Sequence, residues 1–153
     1  MAAKLRSQAT AAGLTAPQMG GDGMLDAEYI SGAGPSAAGS YASTVGQPLN
    51  KIPGATKFVG AYDAAGYTEP PSDFGPYAYD AANAIIAALK PVLKGKSSLP
   101  KDTRAKVIAG LQATKLNGVT GPISFDQYGD VVDRTFTLYT VSGSPLAWTP
   151  VTP

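Results

Sequence analysis

Cysteine and histidine are both absent from the 153 residues. Without them there is no disulfide framework, no Ser-His-Asp or Cys-His catalytic arrangement, and no thiolate or imidazole ligand for zinc. Any chemistry must use carboxylates, hydroxyls, amines or the backbone. Charge is also scarce: Asp, Glu, Lys and Arg make up 15% of the chain and the formal net charge is +1. That balance argues against nucleic acid as a partner and against an acidic or basic disordered tail. The longest apolar run, 84–89, falls far short of the roughly 20 residues that span a bilayer. No signal peptide is legible after Met1: Lys4 and Arg6 are followed by Ser7, Gln8 and Thr10, which interrupt any apolar core. With Met1 taken as the start, that pattern reads as cytosolic.

What is present is a 44% hydrophobic fraction, enough for a core, in a length that suggests one domain. Eighteen glycines and 13 prolines imply frequent changes of direction or an incomplete domain. Periodicity and punctuation predict a helix over 3–12, ended by Gly13 and opened without a capping residue. A short extended piece at 17–19 leads into the tight loop Gly20-Gly21-Asp22-Gly23. A helix over 25–33 follows, with Asp26 and Glu28 in its first turn, then a strand over 40–45 that alternates Tyr41, Ser43 and Val45 with Ala42 and Thr44. A helix over 55–65 ends at Gly66. The strongest helix carries Ala78, Ala81, Ala82, Ile85 and Leu89 as one apolar stripe, so it is expected to be largely buried. Another helix begins at Asp102 or Thr103, with Val107, Ile108 and Leu111 on one side. Strands are predicted over 118–125 and 135–141, with a turn over 126–130 between them. The alternation at the start argues for parallel α/β units.

The Gly20–Gly23 loop lies between strand and helix, where open α/β sheets bind ligands. It is not a dinucleotide fingerprint, because Asp26 stands where a third glycine is required, and no Gly-Lys-Ser/Thr follows for a P-loop. Asp22 has two readings: a carboxylate for a cationic ligand, or a turn aspartate accepting backbone hydrogen bonds, the commoner role at such a place. Asp126, Asp130 and Asp133 lack the alternating ligand pattern of a calcium loop, so a hairpin turn with solvated acids is the expectation. The basic stretch from Lys90 to Lys106 contains no aromatic residue and reads as a solvated connector rather than a nucleic-acid surface. Phe74, Tyr77 and Tyr79, at the start of the main helix, either cover a ligand or plug the core, the latter being more common.

Taken in order, several stretches resemble the periplasmic leucine/isoleucine/valine-binding proteins, the solute receptors of branched-chain amino acid ABC transporters. They are Leu5-Arg6-Ser7-Gln8-Ala9 through Ala12-Gly13-Leu14, and Met19-Gly20-Gly21-Asp22-Gly23. Phe58-Val59-x-x-Tyr62 with Ala65-Gly66-Tyr67 and Ala78-Tyr79-Asp80-Ala81-Ala82-x-Ala84-Ile85 follow, then Gly121-Pro122-Ile123-Ser124-Phe125-Asp126-x-x-Gly129-Asp130. The resemblance covers nearly the whole chain. It implies a partial type I periplasmic-binding-protein fold of class α/β: a Rossmann-like parallel sheet flanked by helices, with hairpin-like strands near the C-terminus. The two lobes of that fold are joined by three crossovers and close on the ligand like a hinge. Residues 1–46 would belong to the second lobe, 47–130 would pack mainly on the first, and 131–153 would return to the second as a strand and tail. Hinge positions would fall at Gln47 and Pro48 and between Asp130 and Arg134.

By the same resemblance, Asp22, with Gly21 beside it, would pair with the α-ammonium group of the ligand. Phe74 is the gapless match to the aromatic that contacts the ligand side chain, and Tyr77 is the near alternative. The ligand would be a branched-chain or related amino acid or similar polar solute, the partner an ABC transporter permease, and the location periplasmic or extracellular, soluble or lipid-anchored. No cofactor, metal, catalysis or nucleic acid is implied. The family's N-terminal half has no counterpart in these residues, and it carries the groups that hold the ligand carboxylate. Removing the partner of a buried charge costs about 3–5 kcal/mol, so the chain alone is expected to have no useful affinity for leucine. The apolar face over 78–89 would lack its parent sheet and must pack elsewhere, oligomerise or stay exposed. The competing readings are a small α/β enzyme built on the Gly-rich loop, disfavoured by the missing catalytic groups, and a non-functional remnant or structural α/β fragment without ligand binding.

Overall fold

The structure, a computed structural model, describes residues 1–151. The last two residues of the expected C-terminal tail lie outside the described residues. The chain divides into two compact units, one made of residues 1–46 with the chain from Thr135 onward, the other of Gln47–Arg134. Residues 131–134 lie in the second unit, where Val132 N–H donates to Ser124 O and Arg134 pairs with Asp126.

The first unit opens with helix α1 (Ala2–Ala11), which has no side-chain cap and is ended by Gly13 at φ +86°. Strand β1 (Met19–Gly20) pairs in parallel with β2 (Tyr41–Val45), after helix α2 (Ala27–Ala33). Asp26 caps α2 by accepting from Glu28 N–H at 2.7 Å. Strand β5 (Phe136–Ser142) pairs antiparallel with β2, and β6 (Ala147–Pro150) antiparallel with β5, giving the order β1-β2-β5-β6. Only one pair is parallel, where the sequence suggested a parallel sheet: the chain returns to β2 by β5 and closes by a hairpin. The alternation over β2 holds, with Ala42 and Thr44 buried and Val45 exposed. The core joins Met24, Tyr29, Ala33, Ala37, Ala42 and Val141. Tyr29 stacks on Trp148 and its hydroxyl donates to Ser40 Oγ at 2.7 Å, with Gln18 Oε1 3.2 Å away. Arg6 is buried, and no carboxylate among the described residues pairs with it; its Nε and Nη1 donate to Ser36 O and Ala16 O, each at 2.7 Å.

The second unit contains α3 (Ala55–Ala64), α4 (Gly75–Leu93), α5 (Thr103–Gln112) and a hairpin of β3 (Lys115–Gly118) and β4 (Gly121–Ser124). Pro76 sits in the first turn of α4, where the missing N–H costs nothing. Gly110 lets α5 approach Ala88 of α4; a Cβ there would lie 3.2 Å from the alanine Cβ. The single strand expected over 118–125 is corrected to two strands. The cause lies far away in the chain: Asp80, buried on α4, accepts from Val119 N (2.9 Å), Thr120 N (2.8 Å) and Thr120 Oγ1 (2.7 Å). Those bonds hold the backbone in a turn, and Gly121 at φ +115° reverses it.

The burial of α4 is also corrected. Asp80, Ala84 and Ala88 are its buried row, while the predicted stripe is open, with Ala78, Ala81 and Ala82 exposed and Ile85 45% exposed. Within the chain itself this face is not packed against another element. The helix is apolar on both sides, so periodicity alone does not choose between them. Among the described residues, no helix is long and apolar enough to cross a membrane.

Candidate functional site

Strand β1 ends at Gly20, where a Cβ would lie 3.0 Å from Met24 Cγ and closer still to the sulfur, so any side chain there would require Met24, which seals the core, to shift. Gly21 then leads in extended conformation into a short 3-10 turn, Asp22–Met24. The Asp22 carboxylate stands exposed just beyond the C-terminal end of β1. Its Oδ1 accepts from Gly23 N–H at 2.9 Å, and Oδ2 takes no bond from any described residue. Both readings of Asp22 therefore have a physical basis: one oxygen makes the turn, and the other can receive an ammonium donor.

The aromatic candidates lie on the second unit. Phe74 is the residue before α4 and is 41% exposed. Tyr77 is half-buried, and its hydroxyl oxygen accepts from Gln47 N–H at 2.9 Å. The next acceptor is Asp73, whose Oδ1 takes Leu49 N–H at 2.9 Å. A residue expected at the ligand is thus joined to one expected at the hinge. Pro48 precedes a 3-10 turn, Leu49–Lys51.

Asp130 and Arg134 are brought together around Asp126. Asp126 Oδ1 accepts from Tyr128 N (2.9 Å) and Asp130 N (3.1 Å), and Oδ2 pairs with Arg134 Nη2 at 2.6 Å. Asp130 lies 3.6 Å from the same guanidinium. The Tyr128 N–H chiefly, with the Asp130 N–H and Arg134, holds the Asp126 carboxyl below its ordinary range, against a smaller opposing effect of burial. The bridge Phe125↔Val131 makes this segment a hairpin turn, as the acidic spacing suggested. Lys106 pairs with Asp102 at 2.7 Å on α5, and its hydrogen bond lowers the Asp102 carboxyl similarly.

A cavity of about 800 Å³ in the second unit lies between α3, α4 and the β3–β4 hairpin. Phe58, Tyr62, Tyr67 and Tyr79 wall it, with ring centroids 4.7–6.0 Å apart. Its signals in the sequence were the i, i+4 spacing of Phe58 and Tyr62 and the aromatic Tyr79 near the start of the main helix. Among the described residues no three acidic side chains cluster to hold a metal ion.

Residues 1–145 match the profile of a family described as periplasmic binding protein. No curated protein sequence matches the chain. Among solved structures, it is similar to the leucine-binding protein LivK from Thermotoga maritima, at 24% identity and a TM-score of 0.70, over 99% of this chain and 41% of that one. It is similar also to LivJ from Streptococcus pneumoniae, a branched-chain amino acid transporter substrate-binding protein solved with isoleucine (28% identity, TM-score 0.65, 99% and 42%). A third is a putative branched-chain amino acid ABC transporter protein from Rhodospirillum rubrum (25% identity, TM-score 0.63, 97% and 41%). The chain thus spans about two-fifths of the length of these proteins.

Proposed function

Because the chain belongs to the periplasmic binding protein family, we propose that it forms one side of a binding site for a branched-chain or related amino acid. The whole site would belong to an extracytoplasmic receptor that hands its solute to an ABC transporter permease and catalyses nothing. The observation that carries this reading is Asp22: an exposed carboxylate whose second oxygen is engaged by none of the described residues, placed beyond the C-terminal end of a parallel strand. Gly21 leaves open space beside it. On the second unit, Phe74 is the aromatic assigned to the ligand side chain. The Tyr77 ring is the alternative, with its hydroxyl already engaged.

An α-amino acid brings two charges, and these residues supply a partner for one. Calorimetric titration of L-leucine or L-isoleucine into the chain alone is expected to give no micromolar dissociation constant. Adding a polypeptide that supplies the rest of the receptor fold is expected to produce binding, and Asp22→Ala to abolish it. Micromolar affinity of the chain alone would refute the half-site, and binding untouched by Asp22→Ala would remove Asp22 from it. Absence of binding in the reconstituted receptor would favour the structural fragment without a ligand.

A further inference from the structure

Half of the chain's cations lie within one short segment. Residues 90–106 hold six of the 12 Lys and Arg residues and one of the 11 Asp and Glu residues, a net of +5, whereas the rest of the chain nets −4. The fold gathers these charges at one place in the second unit. Gly110 of α5 closes on Ala88 of α4, so the two helices double back on each other and 94–102 forms the tip of a helical hairpin. Gly95 at φ +69° turns the chain out of α4, and Thr103 Oγ1 donates to Pro100 O at 2.7 Å at the entry to α5. The single acid, Asp102, is already engaged. It pairs with Lys106, whose hydrogen bond chiefly holds the carboxyl below its ordinary range, and the charge of Lys96 acts on it too. Cations ten residues apart thus gather near one carboxylate. Lys90 stands in the last turn of α4, where the helix dipole favours it. Lys94, Lys96, Lys101 and Arg104 are exposed and have no carboxylate partner among the described residues. In their midst Leu99 is 73% exposed, and Leu93, at the end of α4, 37%. Pro100 biases Leu99 toward extended backbone, which keeps it out of α5.

We propose that this hairpin tip is a peripheral docking surface for a negatively charged lipid bilayer. A surface that only keeps a protein in solution mixes both signs of charge; here one sign surrounds an apolar point. The lysines and Arg104 meet the phosphates of the head groups, their long stems letting the charge stay at that level. Leu99 enters the boundary between head groups and acyl chains. Two features favour a bilayer over other polyanions. Between 90 and 106 there is no aromatic residue on which a nucleic-acid base could stack. A protruding leucine gains nothing beside a hydrated acidic polypeptide, whereas a bilayer removes it from water. The contact lies wholly within the second unit and does not depend on the amino-acid reading of Asp22.

The test is cosedimentation of the full chain with vesicles of phosphatidylcholine alone and of phosphatidylcholine with about one-third phosphatidylglycerol. Binding to the mixed vesicles is expected to be at least tenfold stronger and to weaken as salt is raised. A cation near such a surface contributes about fivefold, so Lys96→Gln with Lys101→Gln should weaken binding by about 25-fold. Lys51→Gln with Lys57→Gln removes the same charge elsewhere in the unit and should change binding less than threefold. Leu99→Ser should lower affinity about tenfold while leaving the salt dependence unchanged. The absence of native cysteine allows a second readout. A polarity-sensitive dye on Ser98→Cys should shift to the blue with mixed vesicles, and the same dye on Lys57→Cys should not. Every altered side chain is exposed, so circular dichroism should be unchanged throughout. Equal binding to both kinds of vesicle, or equal losses in the two double variants, would overturn the proposal. Binding indifferent to Leu99→Ser would also overturn it, and would assign the tip to a hydrated polyanion instead.

Discussion

Replacing Asp80 by alanine should unhinge the β3–β4 hairpin from α4. The carboxylate receives two backbone N–H groups and one hydroxyl at 2.7–2.9 Å, and it is 3% exposed. The Thr120 hydroxyl can turn to water, but the Val119 and Thr120 amides are half-buried and fixed by the turn. Stranding a buried donor costs about 1–3 kcal/mol. With two such donors partly reached by solvent, the loss is about 3 kcal/mol, a large share of the roughly 5–15 kcal/mol that holds a domain. Asp80→Asn should cost nearly as much, since the amide offers one acceptor oxygen and turns its own N–H groups toward a donor. Urea unfolding, followed by amide signals of the second unit, measures the loss. Trp148, the only tryptophan, reports the first unit independently. A loss below about 1 kcal/mol, or Val119 and Thr120 amides that remain protected in Asp80→Ala, would refute the assignment of the turn to this side chain.

Gly118→Ala should mimic Asp80→Ala, because a Cβ at that position would lie against both oxygens of the Asp80 carboxylate; the same urea curves test it. Tyr29→Phe removes the donor to Ser40 Oγ in the first-unit core and should lower stability by about 1 kcal/mol, read from the Trp148 fluorescence transition. Asp126 has a depressed folded-state value, so its contribution to the 126–130 turn is present above the unfolded carboxylate pKa and is lost as pH falls through the folded one. Carboxyl NMR titration should find Asp126 below the ordinary aspartate value, and Arg134→Gln should raise it; an unchanged titration in that variant would exclude the guanidinium as a cause.

Local punctuation was legible at two helix ends: Gly13 and Gly66 end their helices at φ +86° and +76°. The β2 faces were legible because alternation reports burial when one side meets a core. Three features were hidden. The hairpin split depends on Asp80, some 40 residues from the turn that it holds. The buried row of α4 contains that aspartate, so an apolar pattern points to the opposite side. Strand β6 is short, preceded by Pro145 and ended by Pro150, which read as loop. For the candidate site, the place of Asp22 after a strand could be read directly, whereas the bond from Gln47 to Tyr77 joins positions 30 apart that no local pattern links.

The pairing of β2 with β5 sets a schedule for folding. Tyr41 meets Thr140 and Val45 meets Phe136, so the central ladder of the first unit closes around the whole of Gln47–Arg134. A ribosome delivers the chain from its N-terminus, and the inserted unit is complete in sequence before β5 has been made. Helices α3 to α5 and the hairpin can settle using contacts of their own, while β1 and β2 wait for the last strands to emerge. Closing so long a loop is entropically slow, and a preformed insert shortens the chain that must be searched. The unit holding Asp22 thus starts ahead of Gln47–Arg134 in the chain but can close its ladder only after that segment has been made.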